Sequence, residues 1–145
     1  VYLVRDPHDI LPSNFDFFSY VWNYFGDYSE DYPYSDLLLE MIHHFYEYPI
    51  DVLSTLPKDQ YHIVKFEELV RNPVKAVEDI YSTLGYELSD EYHKALVKEA
   101  QAAHKHKNNR KVTIKHIGVS PEYVQKKYSK VLHQLGYTEK PRRGA

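Results

Sequence analysis

The sequence predicts an α/β fold that is mostly helical, with two or three short parallel strands. The first observation is an apolar run from Val1 to Val4 that ends at Arg5-Asp6-Pro7, as a strand buried on both faces does. The second is a β-prone stretch from Tyr61 to Phe66, and a shorter one, Val112-Thr113-Ile114, is the candidate third strand. The third is the series of amphipathic helices that fills most of the remaining chain.

The first two helices are predicted from apolar periodicity. One runs from Ser13 to Phe25 and is rich in aromatic residues. The next begins at Ser35 or Asp36 and either ends near Pro49 or continues, kinked, to Leu56. Its core-facing stripe is predicted from spacings of three and four residues and consists of Leu37, Met41, Phe45 and Tyr48.

The later helices are predicted from their terminal residues. Asn72 is a good N-cap, Pro73 fits the first helical position, and Gly85 supplies a left-handed stop. Ser89 caps a fourth helix, and Ser120-Pro121 repeats the cap signal before a last helix that stops at Gly136. The apolar face of that last helix consists of Val124, Tyr128, Val131, Leu132 and Leu135.

The chain's length and composition restrict its class. Its 145 residues suit one domain, which we expect over residues 1–139 with a disordered tail at 140–145. A start on Val1, inside a predicted core strand, suggests a piece of a longer protein.

The net charge of −3 gives no global attraction to nucleic acid or to anionic membranes, so an anion site must be local. The absence of cysteine excludes disulfides and thiolate chemistry, and no stretch is long and apolar enough to predict a membrane span. The cytoplasm is the default location.

Arg5 and Ser13 are the leading candidates for an anion site. Ligands of open α/β sheets bind at the carboxyl ends of strands, where Arg5 lies, and a guanidinium donates two parallel hydrogen bonds to a phosphate. Ser13 lies at the predicted start of a helix, where a hydroxyl and unpaired backbone N–H groups bind anions. The two residues therefore suit one phosphate between them. The other interpretation is an Arg5–Asp6 pair that ends the strand.

Three segments, taken in order, resemble the C-terminal part of the sulfotransferase family, which uses 3′-phosphoadenosine 5′-phosphosulfate (PAPS) as sulfuryl donor. Val4-Arg5-Asp6-Pro7 with Ser13 is similar to that family's 3′-phosphate motif. Val64-Lys65-Phe66-Glu67-Glu68-Leu69, followed by Asn72-Pro73 and Leu84-Gly85, resembles its next strand, turn and helix. The basic segment from Lys105 to Lys111, with Ile117-Gly118 and the Ser120-Pro121 helix, resembles its C-terminal end. The likeness covers nearly the whole chain.

The resemblance implies a P-loop-NTPase-like sulfotransferase fold and a transferase that uses PAPS without a metal. Arg5 and Ser13 would grip the 3′-phosphate, while Arg110 and Lys111 would fold over the nucleotide. The family's other nucleotide motif is a phosphate-cradling loop with a lysine, and the five scattered glycines leave no place for it here. The family's catalytic base has no counterpart position either, so the catalytic residues are unknown. The resemblance thus predicts half of a donor site, inactive alone.

The acceptor is less well defined. Trp22, Tyr24, Phe25 and Tyr28 follow the phosphate motif and either wall the acceptor pocket or pack in the core. Small-molecule, carbohydrate, lipid and peptide-tyrosine acceptors with a hydroxyl or amine group all stay open, as does the oligomeric state. Glu67 and Glu68 follow a strand into a helix entry and are expected to cap or to form ion pairs rather than to catalyse. The alternatives to a sulfotransferase are a non-catalytic helical interaction domain and an unrelated phosphate- or nucleotide-binding module, including a kinase-like relative.

Overall fold

A computed structural model describes residues 1–26, 34–103 and 113–137. It contains two short strands, β1 (Tyr2–Val4) and β2 (Ile63–Lys65), which pair in parallel. The helices in chain order are α1 (Pro7–Phe25), α2 (Ser35–Ser54), α3 (Phe66–Arg71), α4 (Pro73–Thr83), α5 (Asp90–Ala103), a 3₁₀ helix (Ile114–Ile117), α6 (Pro121–Lys127) and α7 (Ser129–Gln134). The architecture of the described residues is therefore mostly helical with a small parallel sheet, as expected.

The described residues form two compact units. The first comprises residues 1–5 and 51–103, and the second comprises residues 6–26, 34–50 and 113–137. The expectation of one domain over residues 1–139 stays a prediction, and the tail at 140–145 lies outside the described residues.

The first unit is built on the parallel pair. Tyr2, Leu3 and Val4 lie opposite Ile63, Val64 and Lys65, and α3 follows β2 without a loop. α4 packs against α3 and α5. The residues predicted to begin and end α4 do so in the structure. The Asn72 side chain accepts a hydrogen bond from the Lys75 N–H at 3.1 Å, and Gly85, just after the helix, has the left-handed φ of +70°.

The second unit has a core made by α1, α2 and the C-terminal helices. α1 packs against the 3₁₀ helix and α6. All five residues of the predicted apolar face of the last helix are buried, although that helix is broken at Tyr128 into α6 and α7. Tyr128 is fully buried, its hydroxyl donates to the Leu39 carbonyl at 3.3 Å, and its ring meets those of His43 and Tyr46 edge to face.

The predicted stripe of α2 is wrong. Leu37, Phe45 and Tyr48 are exposed and Met41 is half-buried, whereas the buried side chains are Leu38, Leu39, Ile42, Tyr46 and Ile50. α2 carries apolar residues on both sides, so its periodicity fits two faces equally well. The second of the two predicted ends is correct, since α2 continues through Pro49 to Ser54.

Two further expectations need correction. The β-prone stretch Val112-Thr113-Ile114 does not supply a third strand, because Ile114 begins the 3₁₀ helix, with Thr113 as its cap; Val112 lies outside the described residues. α1 begins at Pro7 rather than at Ser13. Asp6 caps it by accepting from the His8 N–H at 2.9 Å, and Pro7 occupies the first turn. Pro12 is accommodated inside the helix, fully buried.

Candidate functional site

Arg5 lies at the carboxyl edge of the parallel pair. It directly follows β1, and because Val4 lies opposite Lys65, the next residue on the neighbouring strand is Phe66. The guanidinium carbon of Arg5 lies 4.8 Å from the centroid of the Phe66 ring, a cation–π distance. The sheet register and the Phe66 ring thus hold a half-exposed guanidinium where parallel strands commonly bind ligands.

Ser13 lies inside α1, on its exposed side. The part of the anion hypothesis that gave Ser13 unpaired backbone N–H groups is therefore wrong, since residues in a helix interior donate those groups to the carbonyl four residues earlier. The exposed hydroxyl can still donate to an anion. Arg5 belongs to the first unit and Ser13 to the second, and their joint grip on one phosphate stays a prediction.

Asp6 and His8 form a pair at the start of α1 that the sequence analysis did not identify. One Asp6 carboxylate oxygen accepts both the His8 backbone N–H at 2.9 Å and a hydrogen bond from His8 Nδ1 at 2.8 Å. An ionised carboxylate has no proton to donate, so Nδ1 carries the proton. This fixes the ring orientation and leaves Nε2 as an acceptor whenever the imidazole is neutral.

Some of the remaining predicted site residues lie within the described part of the chain, and the others lie outside it. Arg110, Lys111 and Tyr28 lie outside the described residues. Tyr24 and Phe25 are 73% and 81% exposed at the end of α1, which excludes core packing for them within the described chain. Trp22 is half-buried, with the Tyr34 ring 5.6 Å away. Glu67 and Glu68 lie in the first turn of α3, where the positive end of the helix dipole stabilises negatively charged carboxylates.

A polar groove of about 320 Å³ occupies another part of the first unit. Its lining includes His62, Glu68, Arg71 and Lys75, and Lys75 pairs with Asp79 at 2.9 Å. The Thr83 hydroxyl donates to the Asp79 carbonyl at 2.7 Å, so it must accept from His62 Nδ1 at 2.8 Å. The groove is lined by two acidic side chains, Glu68 and Asp79, and by two basic ones, Arg71 and Lys75.

Residues 1–26, 34–103 and 113–137 contain neither a metal-type cluster nor a membrane-spanning helix. Within these ranges, no group of three or more His, Asp or Glu side chains is arranged to hold a metal ion. Likewise, no helix there has the length and apolar character needed to span a bilayer.

Comparison with known proteins gives one match. Residues 1–90 match a family model described as the sulfotransferase family, which covers more than half of the chain. The matched range holds the Arg5 motif and the segment from Val64 to Gly85, and it confirms the resemblance derived from them. The basic segment from Lys105 to Lys111 lies beyond it. No curated protein and no solved structure matches the chain.

Proposed function

Since the chain belongs to the sulfotransferase family, we propose that it uses PAPS as sulfuryl donor and carries the half of the donor site that binds the 3′-phosphate. Arg5 and Ser13 hold this phosphate, and Arg110 and Lys111 contact the nucleotide. The acceptor offers a hydroxyl or amine on a small molecule, carbohydrate or lipid.

The position of Arg5 is the observation that supports this function most strongly. Its guanidinium lies at the carboxyl edge of β1 and is packed on the Phe66 ring, which limits the rotamers available to a long, flexible side chain. A guanidinium held in one orientation can donate two parallel hydrogen bonds to two oxygens of one phosphate. A nucleotide without the 3′-phosphate lacks this two-oxygen contact, so the site discriminates against it.

The residues of this chain contribute positioning and charge. Bound PAPS supplies an electrophilic sulfur: the acceptor atom forms a bond to it while the bond between sulfur and the 5′-phosphate oxygen breaks, a base takes the acceptor proton, and adenosine 3′,5′-bisphosphate leaves. Arg5 neutralises the 3′-phosphate and so fixes the nucleotide relative to the acceptor. The five scattered glycines provide no cradle for the 5′-phosphate, so we expect no turnover from these 145 residues alone.

Calorimetry with adenosine 3′,5′-bisphosphate tests the proposal. Arg5→Ala should weaken binding by about tenfold to a hundredfold, because hydrogen bonds to charged groups contribute about 1.5–3 kcal/mol. Ser13→Ala should weaken it by about tenfold. The matched control is Arg71→Ala, which removes an exposed arginine at the end of α3 and should leave the affinity unchanged.

The nucleotide provides a second control. Adenosine 5′-monophosphate should bind weakly to the wild-type chain and to Arg5→Ala alike, because it lacks the group that Arg5 recognises. A folded chain that binds neither nucleotide would contradict the proposal and favour the helical interaction domain. Equal binding of the bisphosphate by wild type and Arg5→Ala would show that the anion binds elsewhere.

A further inference from the structure

The polar groove of the first unit is large enough to hold a small ligand. Its volume of about 320 Å³ lies at the lower end of the range of about 300–1,000 Å³ that small-molecule sites occupy. The buried residues Val64 and Ala76 form the apolar part of its lining. All of the lining residues belong to the first unit, so the groove can be described within that unit alone.

Two of the four charged side chains in the lining are available to a ligand. Lys75 and Asp79 pair with each other at 2.9 Å. Glu68 and Arg71, in contrast, form no ion pair and no side-chain hydrogen bond with any residue in the described part of the chain. Both are exposed, and they lie three residues apart on α3, a spacing that makes them neighbours on the helix surface. A carboxylate and a guanidinium thus lie side by side in the groove without pairing.

Two uncharged side chains add hydrogen-bonding groups to the lining. The Asn72 side-chain oxygen accepts from the Lys75 N–H at 3.1 Å, which leaves the amide NH₂ group of Asn72 as a donor. His62 donates from Nδ1 to the Thr83 hydroxyl, which leaves Nε2 as an acceptor in the neutral imidazole. The lining therefore offers a ligand donors as well as acceptors.

A ligand with a single charge would be repelled by one of the two unpaired groups, whereas a zwitterion pairs with both. We propose that the groove binds a free α-amino acid with an apolar side chain. Its carboxylate accepts from Arg71, its ammonium group donates to Glu68, and its side chain packs on Val64 and Ala76. The two charges of an α-amino acid are attached to one carbon, which suits two protein charges that lie side by side. The inference concerns a second site and does not depend on the proposed function.

Leucine and two analogues that each keep one of its charges test the inference. The analogue 4-methylpentanoate lacks the ammonium group and 3-methylbutylamine lacks the carboxylate, while both keep the apolar side chain. Binding to the full 145-residue chain is followed in NMR titrations by the amide chemical shifts of α3 and α4. Leucine should bind about two- to fivefold more tightly than either analogue, the range expected for one ion pair at an exposed site. Glycine should bind more weakly than leucine, because it has no side chain to cover the apolar lining.

Two variants assign the charged contacts. Arg71→Gln should weaken the binding of leucine and 4-methylpentanoate but not that of 3-methylbutylamine. Glu68→Gln should weaken the binding of leucine and 3-methylbutylamine but not that of 4-methylpentanoate, so the ligands and variants together form a double-mutant cycle. The matched controls are Lys94→Gln and Glu91→Gln, which remove exposed charges on α5 outside the groove lining and should leave all three affinities unchanged.

Equal binding of leucine and either analogue would overturn the inference, and so would a leucine affinity that is unchanged in both variants. Titration of adenosine 3′,5′-bisphosphate into the same samples keeps this site apart from the proposed donor site. The bisphosphate should bind Arg71→Gln as tightly as it binds the wild-type chain. A loss of bisphosphate affinity in Arg71→Gln would show that the groove is an anion site, which would overturn the inference.

Discussion

Replacement of Phe66 by leucine separates the anchoring of Arg5 from its charge. The substitution keeps an apolar side chain at the start of α3 but removes the ring that lies 4.8 Å from the guanidinium carbon. A cation–π contact of a partly exposed arginine contributes about 0.5–1 kcal/mol. If this contact holds the guanidinium in its phosphate-binding orientation, Phe66→Leu should weaken the binding of adenosine 3′,5′-bisphosphate by about two- to fivefold.

Titration calorimetry at constant ionic strength measures this effect, and thermal unfolding of each variant verifies that the fold is retained. Phe45→Leu is the matched control, because Phe45 is a 59% exposed ring on α2 and lies in the second unit. Its bisphosphate affinity should equal that of the wild type. An unchanged affinity in Phe66→Leu would refute the anchoring role, and a loss as large as that of Arg5→Ala would show that Phe66 acts through the fold rather than through one contact.

Three further predictions concern stability and are measured by urea unfolding. Tyr128→Phe removes the hydrogen bond to the Leu39 carbonyl and should lower the free energy of unfolding by about 1 kcal/mol; no loss would mean that the 3.3 Å contact contributes nothing. Asn72→Ala removes the α4 cap and should also cost about 1 kcal/mol, whereas Asn23→Ala, at an exposed position in the last turn of α1, should cost nothing. Burial raises the pKa of Tyr2 to about 12 and raises the pKa of Tyr128 as well, so the unfolded chain loses these protons first, near pH 10. Stability should therefore fall between about pH 10 and 12, and less steeply in Tyr128→Phe; a flat profile would contradict the burial of both phenols.

The helix ends could be predicted from the sequence because caps are local. Asn72-Pro73 and Ser120-Pro121 place a side-chain acceptor before a proline, and both positions cap helices in the structure. Asp6-Pro7 carries the same signal, and α1 begins at Pro7 rather than at the predicted Ser13. The residues that cap a helix thus locate its start better than the periodicity of its aromatic residues does.

The face that α2 buries could not be predicted from its own sequence. Leu37, Phe45 and Tyr48 have the spacing of a core stripe, and so do Leu38, Ile42 and Tyr46 on the other side. Contacts from a distant part of the chain make the choice, since the buried Tyr128 packs against Tyr46 and bonds to Leu39. The periodicity of one helix does not show which of its faces such distant contacts will bury.

The candidate site shows the same division between local and distant information. Its arginine could be predicted because a charged residue that ends an apolar run is visible in the sequence. Its aromatic anchor could not, because the contact between Arg5 and Phe66 depends on the register that sets Val4 opposite Lys65. A parallel register joins two segments that are far apart in the chain, and their sequences alone leave it open.

The most direct measurement of the central claim is a ³¹P NMR titration of adenosine 3′,5′-bisphosphate with the chain, because the two phosphates give separate signals. We predict that the 3′-phosphate signal shifts on binding more than the 5′ signal, and that Arg5→Ala abolishes this shift while Arg71→Ala preserves it. A shift confined to the 5′-phosphate, or a 3′ shift that persists in Arg5→Ala, would contradict the assignment of the 3′-phosphate site to Arg5.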